Sequence, residues 1–412
     1  MTPGRLLAAL TLALCSLLAA CAGQSGGAQA VPLPLVCSWP FESDGRGITN
    51  VATPETHATY WVMPLAASQT MVLHGQYPRA RFFDVTSYAT DGSIIDSLPD
   101  SSITPDPGSI NPFATLSTSP GPQNYTITVT RQPSAGGNRL GVGTGALAFV
   151  VIRVYLPDNG QTNTGGVGLP TVSLLGRNGA TRSLPPCPFT SAEVAVGNLV
   201  ILLAANGFSD ASKFMQVILT AFHQKVSSSG SCIATRPNAG PIALAQSAQG
   251  SGFFPNPQAT YIGASGLCMR ADQVLVFRGR APVYPDTFNG GSVLRPAFDG
   301  AIQLRYWSLC NNFSVDPDPV IACRADVETA MGPDGFYTYV LSNDPTQPSW
   351  LPTGATWLPW GEPAITKSLM FREIREQEPP LSTDYTPQAA ICARSVFVSQ
   401  GWRGCFTQAK LL

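Results

Sequence analysis

The chain has 412 residues, a formal net charge of −1 and only 12% charged residues, against 39 glycines and 37 prolines. That is length for two domains of ordinary size, and many turns with few charged helix faces point to a β-dominated chain. Without a basic excess, nucleic acid is excluded as an electrostatic partner, and no polybasic run is present to hold an anionic membrane surface.

The first element is N-terminal: Arg5, then the apolar stretch Leu6 to Leu18, which is short for a bilayer span. It closes in Leu18-Ala19-Ala20-Cys21, which resembles the lipobox of bacterial lipoproteins. The resemblance implies removal of residues 1–20 and a lipid on Cys21. An ordinary secretory signal cut near Ala20 or Ala22, or an uncleaved anchor, is the alternative. No later stretch is apolar for long enough to span, so the expected membrane contact is the lipid. The expected location is the bacterial cell envelope, on the outer membrane if the cell is Gram-negative, because Ala22 rather than aspartate follows the cysteine.

Residues 21–36 are small, polar and glycine-rich and read as a tether. A first β lobe is expected over 37–190, with strands at Tyr60–Met63, Thr70–His74, Arg81–Tyr88, Tyr125–Thr130 and Ala146–Tyr155. Asp91-Gly92 supplies a tight turn, and the proline-dense stretch Leu98–Gln123 reads as a long ordered loop. Residues 191–230 read as a helical linker, with Phe214, Val217, Ile218 and Phe222 on one face. A second β lobe is expected over 231–375 and a cysteine-bearing, partly helical tail over 376–412.

The two lobes read as an internal duplication. Gly75 to Val85, holding Arg81, has a degenerate counterpart in Gly279-Arg280-Ala281-Pro282 and, after an insertion, Arg305-Tyr306-Trp307. Ala58-Thr59-Tyr60 matches Ala259-Thr260-Tyr261, with Pro54 and Pro257 upstream, Tyr125 to Val129 matches Tyr337 to Leu341, and Val151-Ile152-Arg153 matches Met370-Phe371-Arg372. The strings Arg81-Phe82-Phe83-Asp84-Val85, Asp334-Gly335-Phe336-Tyr337 and Trp357-Leu358-Pro359-Trp360-Gly361 resemble paired bacterial envelope domains of unknown function. That resemblance implies two related β-sandwich, jelly-roll-like lobes and supplies no catalytic residues. The cysteines and the long proline loop depart from it.

With Cys15 in the signal and Cys21 lipidated, Cys37, Cys187, Cys232, Cys268, Cys310, Cys323, Cys392 and Cys405 remain for disulfides in an oxidising compartment. Sequence proximity suggests Cys310 with Cys323 and Cys392 with Cys405, and lobe brackets suggest Cys37 with Cys187 and Cys232 with Cys268. No metal or cofactor pattern is present: there is no Cys-x-x-Cys, no phosphate loop and no dinucleotide fingerprint.

Two ligand-binding sets are suggested. An arginine in an apolar strand needs an acidic or carbonyl partner, so Arg81 and Arg305 are either ligand contacts or a repeated structural ion pair, the latter favoured. Trp307, Trp357 and Trp360 could stack a sugar ring or pack the core. The reading is a non-enzymatic binding or structural module with an inter-lobe cleft for a small molecule, glycan or envelope protein. The alternative is a glycan-acting enzyme using two carboxylates drawn from Asp84, Asp96, Asp100, Asp286 and Asp326.

Overall fold

The computed structural model describes residues 37–50, 53–66, 69–116, 121–132, 137–176, 179–187, 230–232, 239–250, 254–315, 318–375 and 381–407. The signal segment, the tether with Cys21 and, apart from Gly230, the expected helical linker lie outside them.

The fold is mainly β, in four five-stranded sheets. The first lobe has an inner sheet ordered β1 (Phe41–Ser43), β2 (Ala58–Ala66), β8 (Leu147–Pro157), β4 (Ala80–Tyr88), β5 (Ile94–Pro99). Its outer sheet runs β10 (Thr181–Leu184), β9 (Thr171–Leu175), β3 (Thr70–Gln76), β6 (Asn124–Thr130), β7 (Arg139–Gly141). In the second lobe the inner sheet is β12 (Ala245–Gln246), β13 (Ala259–Leu267), β19 (Lys367–Ile374), β15 (Tyr306–Phe313), β16 (Val320–Ala325). The outer one is β11 (Gly240–Ile242), β20 (Gln388–Ala393), β14 (Gln273–Arg280), β17 (Phe336–Ser342), β18 (Thr356–Pro359). The inner sheets correspond strand for strand, and the outer sheets do so except at one edge, where β10 follows β9 in the chain but β11 comes from the start of the second lobe. At the other edge each has a parallel pair, β6 with β7 and β17 with β18.

Burial follows from the layering. The strand β6 alternates Tyr125, Ile127 and Val129 inward with half-buried threonines outward, because only one face of its sheet is covered. β4 and β8 are buried along almost their whole length on both faces. One face meets the outer sheet, where Phe83 stacks on Tyr125 at 5.8 Å. The other meets the second lobe's inner sheet, where Phe82, Tyr155, Tyr306, Ala325 and Ile374 share one apolar cluster.

One expectation is corrected. The C-terminal tail is not an appendage: β20 inserts beside β14 inside the second lobe's outer sheet, and β9 and β10 likewise complete the first lobe's outer sheet. Both were missed because Gln388–Ala393 and Thr171–Leu175 are short and lie next to proline and glycine. Beyond β20 a helix, α1 (Arg394–Thr407), is kinked at Gly401 and packs Phe397 and Cys405 against Val274, Val276 and Val340. The eight cysteines form the bridges Cys37–Cys187, Cys232–Cys268, Cys310–Cys323 and Cys392–Cys405. The last ties α1 to β20, and the first closes the ends of the first lobe.

The glycine shared by the repeated strings has a packing role. A Cβ on Gly75 would lie 2.5 Å from the Tyr125 hydroxyl, and one on Gly279 would strike the Tyr337 hydroxyl in the same way. Tyrosine from the neighbouring strand lies across each glycine, so the pair is read together. Gly75→Ala and Gly279→Ala should each lower unfolding free energy by about 1–3 kcal/mol in urea titrations, through forced displacement of a buried ring.

Candidate functional site

The polar residues that matter lie where the inner sheets meet. Arg81, fully buried on β4, crosses to the second lobe and donates from Nη1 to Asp326 Oδ2 at 2.8 Å and from Nε to Thr287 Oγ1 at 3.1 Å. Arg305, immediately before β15, makes the reciprocal crossing: its Nη2 lies 3.6 Å from Asp100 Oδ1. Asp100 and Asp326 occupy corresponding positions, each opening a 3-10 turn after β5 or β16. Burial raises both carboxyls, Asp326 to about 6, against the opposing pull of its arginine. The side chains are therefore spent on each other, and the structural ion-pair reading of Arg81 and Arg305 is the one the geometry supports.

A second pair of arginines, Arg153 on β8 and Arg372 on β19, shows how the lobes interlock. A short arm before β2 reaches into the second lobe, and an arm before β13 reaches into the first. Thr53 and Phe254, at corresponding arm positions, both take left-handed backbone angles, φ 51° and 48°. Pro54 corresponds to Pro255, two residues earlier than the Pro257 suggested by sequence, so Glu55 corresponds to Asn256. Arg372 Nη1 donates to Glu55 Oε2 at 2.6 Å, and Ser308 of its own lobe donates to the same oxygen. Arg153 Nη1 donates to Asp84 Oδ1 of its own lobe at 2.9 Å, and Asn256 donates across the interface to Asp84 Oδ2 at 2.9 Å. Arg153 also donates to the Tyr88 hydroxyl, which donates on to the Pro255 carbonyl.

His57 extends the first arm's network, with Nδ1 3.1 Å from Glu55 Oε1 and Nε2 2.8 Å from Glu328 Oε2. Burial opposes its charged form, but the two carboxylates outweigh it and raise the imidazole to about 10. Burial likewise pushes Glu55 up, yet the His57 bond and the Arg372 guanidinium outweigh it and hold Glu55 at about 2. Sequence reasoning missed Glu55, His57 and Asn256. The available signal was the pair Pro54-Glu55 and Pro255-Asn256, four residues ahead of the matched alanines.

The tryptophans separate. Trp307 is fully buried, its ring 5.0 Å from Tyr337, and Trp360 is fully buried beneath the Lys367 ammonium, so neither is a surface for a sugar ring. Both rings, Trp307 on β15 and Trp360 just after β18, complete the core of the second sandwich, which is the correction to that expectation. Trp357 is half-buried and donates from Nε1 to Ser342 Oγ at 2.9 Å, which fixes it to β17.

An open cavity of about 640 Å³ does lie between the lobes, above the reciprocal arginines. One wall is the first lobe's proline loop, with Ile110, Pro112 and Leu116, and the other is the second lobe's insertion, with Asp286, Asn289 and Arg295. Both walls rest on the arginines: Phe113 of the loop covers Arg305 at 5.6 Å, and Tyr284 of the insertion covers Arg81 at 5.1 Å. Arg81 Nη2 stands 3.9 Å behind Asp286 Oδ1. The only acid among the described lining residues is Asp286, whereas Asp84, Asp100 and Asp326 are buried in ion pairs.

With this geometry established, the chain can be set beside known proteins. No family model matches it, and no curated protein matches it. A crystal structure of an uncharacterised protein from Burkholderia cenocepacia is similar, with TM-score 0.52 and 13% identity over 87% of this chain and 83% of that one. The VPA0106 protein of Vibrio parahaemolyticus gives TM-score 0.40 and 9% identity over 83% and 91%. The former likeness shows a shared fold with a bacterial protein of unknown function.

Two outcomes follow from the buried network. Arg372→Met removes one of the two cationic partners of Glu55, leaving His57, and should cost about 1–3 kcal/mol in denaturant unfolding. The second concerns pH. The folded value of His57 is raised above its ordinary 6.5 to about 10, so its stabilisation is complete below pH 6.5 and lost as pH rises towards 10. Melting scans should show a His57→Gln deficit that is largest at pH 6 and vanishes near pH 10.

Proposed function

We propose that the protein is a non-enzymatic binding module of the bacterial cell envelope, carried by a lipid on Cys21, that takes a small ligand between its lobes. The observation that carries this reading is the double arginine crossing: the matched polar residues lock the lobes together and seat both walls of one open cavity. The four disulfides suit an oxidising, extracytoplasmic compartment, and among the described residues no helix is long and apolar enough to cross a membrane. Glycoside hydrolysis through paired carboxylates gains no support, since that chemistry needs two acids about 5–10 Å apart in the groove and the described lining holds one.

Anchorage and binding are tested separately. Metabolic labelling with an alkyne fatty acid should tag the full chain and fail with Cys21→Ala. Thermal-shift screening of the full chain against saccharides, organic acids, lipids, peptides and divalent metals should give a ligand that raises Tm by mass action. Ala297→Trp, which fills the cavity from the insertion side, should abolish that rise; a blank screen would leave a purely structural role.

A further inference from the structure

The cavity's chemistry narrows what it can hold, and the argument rests on the inter-lobe binding reading above. We infer that its ligand is a neutral polyhydroxylated molecule, a mono- or disaccharide, gripped by Asp286 and Asn289 and laid against Ile110, Pro112 and Leu116.

Charge comes first. Asp286 and Arg295 are the two charged groups among the described lining residues, and they cancel. An anion entering the cavity meets the Asp286 carboxylate, while the guanidinium of Arg81, 3.9 Å behind that carboxylate, opposes a cation. The cavity therefore has no excess charge to spend on an ion, and a neutral ligand meets no electrostatic penalty.

Hydrogen bonding comes second. Asp286 Oδ2 accepts from Asn289 Nδ2 at 2.6 Å and Asp286 Oδ1 from the Asn289 backbone N–H at 3.2 Å. Those bonds fix the carboxylate, and each oxygen keeps a lone pair for a ligand donor. Asn289 is exposed and offers its amide beside the carboxylate. Adjacent fixed acceptors and donors match vicinal hydroxyls, each of which donates and accepts at once. The loop holding them is shaped by Gly290, at φ 89°, and by Gly291, whose N–H donates to the Asp286 carbonyl at 2.9 Å. A Cβ on Gly291 would lie 2.5 Å from that carbonyl, so the loop closes only with glycine there.

Third, there is a hidden polar group beneath the site. Arg81 is fully buried and its Nη2 has no hydrogen-bond partner among the described residues, while it points at Asp286. It faces the carboxylate from beneath and leaves the ligand side of Asp286 uncovered. The opposite wall presents Ile110, Pro112 and Leu116, the last 55% exposed, beside Thr115 and Gln123. The C–H face of a pyranose fits against those three apolar side chains, and the cavity volume lies within the usual range for small-molecule sites.

The test is a titration of the full chain in a non-glycosidic detergent, following Tm and heat. The probes are glucose, galactose, mannose, N-acetylglucosamine, maltose and sucrose, set against citrate, succinate and calcium chloride. At least one saccharide should bind, and Asp286→Asn should weaken it about tenfold by removing a charge-assisted hydrogen bond. Thr115→Trp, an exposed lining position on the other wall, should abolish it while leaving the unliganded Tm unchanged. Saccharide binding undisturbed by both variants overturns the site. Binding of an acid or of calcium alone overturns the ligand class and leaves the inter-lobe reading standing. Silence from all probes, with a ligand found in the wider screen, overturns the class, and silence in both overturns the two readings together.

Discussion

Everything in this molecule depends on disposing of buried positive charge. Arg81, Arg153, Arg305 and Arg372 all lie between the two inner sheets, at 4% exposure or less. A guanidinium there is tolerable only with a charged or hydrogen-bonding partner, because several kcal/mol of desolvation stand against each ion. The partners come in large part from the other lobe: Asp326 for Arg81, Asp100 for Arg305, Glu55 for Arg372, and Asn256 to complete the site of Arg153. Neither lobe satisfies its own arginines alone. The interface is consequently a condition of the fold in each half, and the two sandwiches behave as one body.

That constraint explains where the cavity is. The two segments that depart most from a plain sandwich, the proline loop and the insertion between β14 and β15, each lay a ring over one crossing arginine. Asn111 pins the proline loop from below, donating at 2.8 Å to the carbonyls of Asp100 and Ile103. The described residues of both loops are anchored to the buried ion pairs through Phe113 and Tyr284. The cavity lies in the space left where they face one another.

Strands were legible in the sequence wherever a run was long or alternated, as in Leu147–Pro157 and Asn124–Thr130, since apolar periodicity reports burial directly. The matched arginines were visible for the same reason: a charge inside an apolar run stands out. Short strands such as β20 were not, because six residues beside proline carry little periodic signal and their pairing is decided by tertiary contacts. The aromatic platform misled for a definite reason. Trp307 and Trp360 follow the same pattern whether a ring faces the core or solvent, and only layer order distinguishes the two. The cavity was hidden because Asp286 and Leu116 are 170 residues apart in a chain whose crossing geometry is set by arms, not by local propensity.

The exchange of counter-ions also determines which lobe can pair with which. The reciprocal pairs Arg81–Asp326 and Arg305–Asp100 use the same residue types at corresponding positions, so they would form in any pairing of lobes. The second set is different. In the first lobe Asp84 neutralises Arg153 from within and the arriving arm brings neutral Asn256, whereas in the second Ser308 is neutral and the arriving arm brings Glu55. A first lobe paired with a copy of itself would bring Glu55, with His57 beside it, onto an arginine that Asp84 already neutralises. A second lobe paired with its own copy would leave Arg372 facing Asn256 and Ser308 with no carboxylate at all. The second mismatch buries an unpaired charge, at a cost of about 3–5 kcal/mol. The chain thus carries its pairing rule in four side chains, which favours pairing of a first lobe with a second lobe over pairing of like lobes.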